Sequence, residues 1–138
     1  MSWDIYVQDM PDNVASVEDI PADFKPAPVG KRSDIIAKIK QVVPNVDFSN
    51  PALGRIEGPD FSIEISIDDK EECDSFTFHV RGGDIAAYVI ADILQNLGLH
   101  AFDSSSDTGL FKIGSDAVEG LQRWREYRDQ ILDDKNYT

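Results

Sequence analysis

Basic residues are scarce in this 138-residue chain: 13 lysines and arginines stand against 26 aspartates and glutamates, a net charge of −13. A field of that sign repels phosphate backbones, which argues against nucleic acid as the main partner. Cysteine is nearly absent. Cys73, the single one, cannot close an internal disulfide or furnish a cysteine-based zinc site, and no metal is expected. Long apolar runs are missing as well. The richest stretch, Ile85 to Ile93, is too short to span a bilayer and is interrupted by Asp92, so no membrane role is expected. The opening SWDIYVQDMP has neither a basic region nor an apolar run of the signal-peptide kind, and a cytoplasmic location is expected. No internal repeat of useful length occurs.

What is present suits one globular domain over residues 1–138. The hydrophobic content is 41%, and a chain of about 150 residues hides roughly 68–70% of the surface that its unfolded form exposes. Acids are unevenly spread. Asp4, Asp9, Asp12, Glu18, Asp19 and Asp23 face only Lys25 in the first 28 residues, whereas Val29 to Val43 is net basic through Lys31, Arg32, Lys38 and Lys40. Such a field speeds association with a basic protein.

Periodicity supplies the architecture. In WDIYVQD, Trp3, Ile5 and Val7 alternate with Asp4, Tyr6 and Gln8, the mark of a half-buried strand. Residues 10–30 hold four prolines (Pro11, Pro21, Pro26 and Pro28) and read as a long ordered loop pinned by Val14, Val17, Ile20 and Phe24, with a helical turn near Val17. Ser33 is placed to cap a helix that buries Ile35, Ile36, Ile39, Val42 and Val43 and stops at Pro44. A short strand at Arg55–Glu57 precedes one that turns Phe61, Ile63, Ile65 and Ile67 inward. The charged hairpin loop DDKEECD then leads to a strand with Phe76, Phe78 and Val80 inward. After Gly82-Gly83 the apolar residues fall on a helical period as far as Leu97, with Tyr88, Asp92, Gln95 and Asn96 as the polar stripe and Gly98 as the stop. LHAFDSSSDTGLFKI reads as two short strands around a turn. Ser115 opens a last helix whose inward face is Val118, Leu121, Trp124, Arg128, Ile131 and Leu132, with Glu119–Arg123 and Arg125–Asp129 as four-residue ion pairs. The sum is an α+β, two-layer sandwich: a mainly antiparallel sheet of about five or six strands with about three helices on one face.

Several motifs fail on inspection. Asp107-Thr108-Gly109 matches the aspartic-protease triplet but lacks the apolar flanks and a second copy. Asp103, Ser105 and Asp107 alternate as in a calcium loop, yet Thr108 and Gly114 occupy the places of the required glycine and glutamate. PAPVGKRSD lacks the first glycine and the hydroxyl residue of a phosphate loop. Its cations, Lys31 and Arg32, still precede a helix start, where the macrodipole disfavours them and a bound anion would relieve the cost. Cys73, between Glu72 and Asp74, is a poor nucleophile.

One patch survives. If Ile67 faces Phe76, then Glu64 lies opposite His79, Ser66 opposite Thr77 and Ser62 opposite Arg81. A carboxylate beside a histidine orients the ring and favours its charged form, which is how general bases are built. Glu64, His79, Arg81, Ser62 and Thr77 are therefore the candidate functional patch, on an open sheet face without walls.

The segments SWDIYVQDMP, GRIEGPDFSIEI, FHVRGGD and RWREYRDQIL together resemble a group of small bacterial proteins with no assigned function. The resemblance spans most of the chain and implies a shared fold, with no catalytic residues to carry over. In size and acidity the chain is also similar to toxin-neutralising immunity proteins, an analogy of general character. The favoured expectation is a non-enzymatic acidic module that binds a basic protein, immunity-like, with no cofactor. The alternative is a small-molecule-binding or hydrolytic enzyme working on the open sheet face. A homodimer that buries the same patch is a third arrangement.

Overall fold

A computed structural model of the chain describes residues 3–58, 60–82 and 84–112 and the helix 117–136, with the side chains of that helix at 120–130. The first half runs β1 (Trp3–Gln8), a 3-10 turn (Val17–Asp19), β2 (Gly30–Lys31), α1 (Arg32–Val42), β3 (Asp47–Asn50) and β4 (Leu53–Glu57). The second half runs β5 (Phe61–Ile67), β6 (Glu72–Cys73), β7 (Ser75–Gly82), α2 (Ile85–Leu97), β8 (Ala101–Phe102) and α3 (Ala117–Asn136). Six strands form one sheet in the order β3-β4-β5-β7-β1-β8, every neighbouring pair antiparallel, while β2 and β6 make a separate two-stranded ribbon. This is the expected α+β sandwich.

Alternation does the sorting. Ile5 and Val7 of β1, Ile63, Ile65 and Ile67 of β5, and Phe76, Phe78 and Val80 of β7 are all buried. They meet Ala86, Val89, Ile90 and Ile93 of α2, which lies over the sheet centre with α1 and α3 beside it. The Phe76 and Phe78 rings meet edge to face, their centroids 5.5 Å apart. Gly98, in the left-handed conformation, closes α2.

Local details depart from the sequence reading. α1 begins at Arg32 with Lys31 as its N-cap, so Ser33 lies inside the first turn and its hydroxyl donates to Glu71 instead of capping. Asp84 takes the N-cap position of α2 without a side-chain cap bond. DDKEECD is more than a loop, because Glu72–Cys73 pairs with Gly30–Lys31. β3 was not foreseen: DFSN is short and polar, and only Phe48 reaches the core. In the 10–30 loop, Val17 is 39% exposed, and its methyl groups still pack against Gly109. The loop is also held through its backbone, by Val17 N–H to the Thr108 carbonyl at 2.9 Å and by Ala27 N–H to Asp9 Oδ2 at 2.9 Å. Arg125 does not pair with Asp129. It reaches Asp92 on α2, and Asp129 meets Arg128. The expected inward positions Val118, Ile131 and Leu132, the Glu119–Arg123 pair and the start at Ser115 lie outside the described residues or side chains. No described helix is long and apolar enough to cross a membrane.

Candidate functional site

The face away from the helices belongs to the alternate residues. β5 pairs with β7 so that Ser62 meets Arg81, Glu64 meets His79 and Ser66 meets Thr77. On its other edge β7 borders β1, which sets Asp4 opposite His79 and Tyr6 opposite Thr77. One cross-strand row therefore reads Asp47, Arg55, Glu64, His79 and Asp4.

His79 has a carboxylate on either side, and its ring turns to Asp4. Nδ1 lies 2.8 Å from Asp4 Oδ1, and Nε2 lies 3.1 Å from Ser66 Oγ. Glu64, the partner expected from sequence, makes no ion pair within 4 Å among the described residues. The reason is geometric. A ring held by Asp4 through Nδ1 can still reach diagonally across to β5 through Nε2, and diagonal neighbours on one face lie within reach of long side chains. An ionised carboxylate only accepts, so Nδ1 carries the proton. In the neutral ring Nε2 then offers a lone pair, and the Ser66 hydroxyl donates to it. Asp4, His79 and Ser66 thus form one hydrogen-bonded chain across β1, β7 and β5. The His79 and Asp4 side chains are 37% and 56% exposed.

Ser62, Glu64, Ser66, His79 and Arg81 line a concavity of about 290 Å³ on this face. The structure therefore brings Glu64, His79, Arg81 and Ser62 together. Thr77 faces the same side but stands outside the lining, between Tyr6 and Ser66. Asp4 and Ser66 were missed as partners of His79. Ser66 stands at an outward position of β5, one diagonal step from His79, whereas Asp4 becomes legible only once β1 is known to border β7.

The other sequence candidates, Lys31 and Arg32, stand at the start of α1, where an internal carboxylate supplies the anion. Glu71 Oε1 accepts from Ser33 N–H at 3.1 Å and from the Ser33 hydroxyl, because the β2–β6 ribbon draws Glu71 across the helix start. The Ser33 hydroxyl is the largest cause holding the Glu71 carboxyl below its ordinary range, with Lys31 and Arg32 contributing. Arg32 Nε and Nη2 are buried with no hydrogen-bond partner among the described residues. Cys73 is buried, and burial pushes its thiol up, so it is no ready nucleophile.

A further polar junction ties the helices together. Asp92 accepts from Arg125 Nη2 at 2.9 Å and from Trp124 Nε1 at 3.3 Å, and Arg128 Nη1 reaches the Val42 carbonyl at 3.3 Å. Asp92, in the polar stripe of α2, thus ties that helix to α3. Asp103, considered above as a cation ligand, accepts instead from Trp3 Nε1 at 2.9 Å and from Ser105 N–H at 2.9 Å, which closes the 103–109 turn. No group of three or more histidine, cysteine, aspartate or glutamate side chains placed to hold a metal ion occurs among the described residues. No family model, curated protein or solved structure matches this chain.

Proposed function

We propose that the open face of the sheet is the working surface of this protein, and that its concavity over β5 and β7 binds a small polar molecule. One observation carries the reading: Glu64 and Arg81, opposite in charge, line the same hollow as the hydroxyls of Ser62 and Ser66 and the His79 ring. Neither charge has an ion-pair partner within 4 Å among the described residues. A ligand that presents a carboxylate to Arg81 and a hydrogen-bond donor to Glu64 satisfies both, and bidentate arginine–carboxylate contacts are among the stronger polar ones. The hollow lies near the small end of ligand sites, which suits a compact ligand such as an amino acid or hydroxy acid. NMR titration with a panel of amino acids, hydroxy acids and sugars tests this. Shifts confined to residues 62–66 and 79–81, lost in Arg81→Ala and Glu64→Gln, are expected. Silence at those positions across the whole panel sinks the reading.

A second reading, the acidic module for a basic protein, draws on a different observation. Asp68, Asp69, Glu71, Glu72 and Asp74 crowd the β5–β7 connection around the single cation Lys70, in a chain of net charge −13. Charge complementarity of this kind raises association rates and is lost with salt. Binding to an immobilised basic protein at low salt, abolished by high salt and by neutralising Asp68, Asp69 and Asp74 together, is the expected pattern. Binding that ignores both treatments removes this reading. Sedimentation at high concentration tests the homodimer, which requires association that mutation of Tyr6 or Arg81 disrupts.

A further inference from the structure

We propose that Ser66 is a nucleophile toward activated acyl compounds, with His79 as its general base and Asp4 as the positioning residue; this rests on the reading that the concavity is the working site. Three observations carry it. The hydrogen-bonded chain runs from Asp4 Oδ1 through both ring nitrogens to Ser66 Oγ, at 2.8 Å and 3.1 Å. Its orientation is fixed by chemistry: the acceptor-only carboxylate claims Nδ1–H and leaves Nε2 to receive the serine proton, the arrangement in which a hydroxyl is activated. Ser66 and His79 both line the hollow, so an acyl group has room beside Oγ. The three side chains stand on three adjacent strands of one sheet, which holds them more rigidly than loops would.

The step balances without a co-reactant. Ser66 Oγ forms a bond to the carbonyl carbon as its proton passes to His79 Nε2, and Asp4 faces the resulting imidazolium. The bond from that carbon to the leaving oxygen or sulfur then breaks, and the leaving group departs with the electron pair and takes a proton from Nε2. An acyl-Ser66 ester remains, and water attacking by the same route returns the serine and releases a carboxylic acid.

The substrate class follows from what surrounds the relay. Ser66 lies between two strands, opposite Leu53 of β4 and Thr77 of β7, where backbone N–H groups are engaged in the ladders. No pair of backbone amides is therefore free for the charge that develops on the carbonyl oxygen, and the cation that lines the same hollow is Arg81, four residues along β7 from Thr77, which faces Ser66. Such a site favours aryl esters and thioesters, whose leaving groups need little help, and disfavours amides. It also predicts that acylation outruns hydrolysis, so that acyl-Ser66 accumulates.

The full chain treated with p-nitrophenyl acetate is the test, read by p-nitrophenol release and by peptide mass mapping. The expected result is a burst of one equivalent, with a single acetyl group on Ser66. Ser66→Ala abolishes the burst, and His79→Gln slows it by about 10²–10⁴-fold. Asp4→Asn slows it too, and Asp4→Glu restores it, a rescue that a merely structural role for this exposed residue would not produce. Arg81→Ala slows acylation while leaving the fold unchanged by circular dichroism. Acetyl groups spread over lysines with Ser66 unmodified, or an undiminished burst in Ser66→Ala, overturn the proposal. Ligand shifts around the hollow without acylation overturn the nucleophile alone and leave the binding reading standing. Silence in both experiments removes the two together.

Discussion

Glu71 shows how one side chain couples folding to pH. Its carboxylate is solvated yet sits below the ordinary value of 4.5, mainly because the Ser33 hydroxyl and N–H both donate to it. A carboxyl lowered by folding adds stability above its unfolded value, and that stability is lost as pH falls through the lowered one. Glu71→Gln should therefore lower the urea midpoint at neutral pH, with the gap to the native chain closing as pH is stepped down below the ordinary value of 4.5. A gap constant across that range would refute the assignment. Gly82 makes a sterner demand. Its φ is +104°, and a Cβ there would lie 2.1 Å from the Asp60 carbonyl oxygen. Gly82→Ala should cost more than about 1 kcal/mol, measured by urea unfolding, because the left-handed strain and the backbone clash add.

Among the elements, α3 is held to α2 by a contact that helix periodicity alone does not reveal. Helical spacing offers Arg125 a partner in Asp129, four residues on, but a buried carboxylate on α2 competes better than an exposed one on its own helix. Trp124 is buried and donates to the same Asp92. Asp92→Ala should destabilise by about 1–3 kcal/mol, chiefly by stranding the indole N–H, since exposed Arg125 recovers water. Hydrogen exchange along α3 is the check, with protection there falling before that of β5 and β7. The strands divide in the same way between what sequence shows and what it hides. Alternation in FSIEISI and SFTFHVRG specifies both faces, and the intervening turn fixes Glu64 against His79. Nothing in either segment says which strand fills the far edge of β7. β1 does so from the other end of the chain, and with it comes Asp4, so half of the relay escaped a local reading. β2 and β6 were hidden for a related reason, since two-residue strands show no period.

At the scale of the whole molecule, one layer of apolar side chains joins the sheet to α2. Ile63, Phe78 and Ile93 are each fully buried, so truncating any of them to alanine should cost about 2–5 kcal/mol. Unfolding followed by near-ultraviolet and far-ultraviolet signals should stay coincident in all three variants, and a split transition would mean that sheet and helices unfold as separate units. The acidic composition, a net charge of −13, was legible at once. The hollow was not, because concavity depends on strand order and twist, which composition does not encode. Strand order also governs how the molecule is made. Asp4 leaves the ribosome 75 residues ahead of His79, its partner. During synthesis β1 must wait with its hydrogen-bonding edge unpaired and the apolar face of Ile5 and Val7 uncovered until β7 emerges, so a nascent chain halted before that point has neither a relay nor a complete sheet. Long-range pairing of this sort slows folding and invites aggregation, which makes the interval between those two strands the chain's most vulnerable moment.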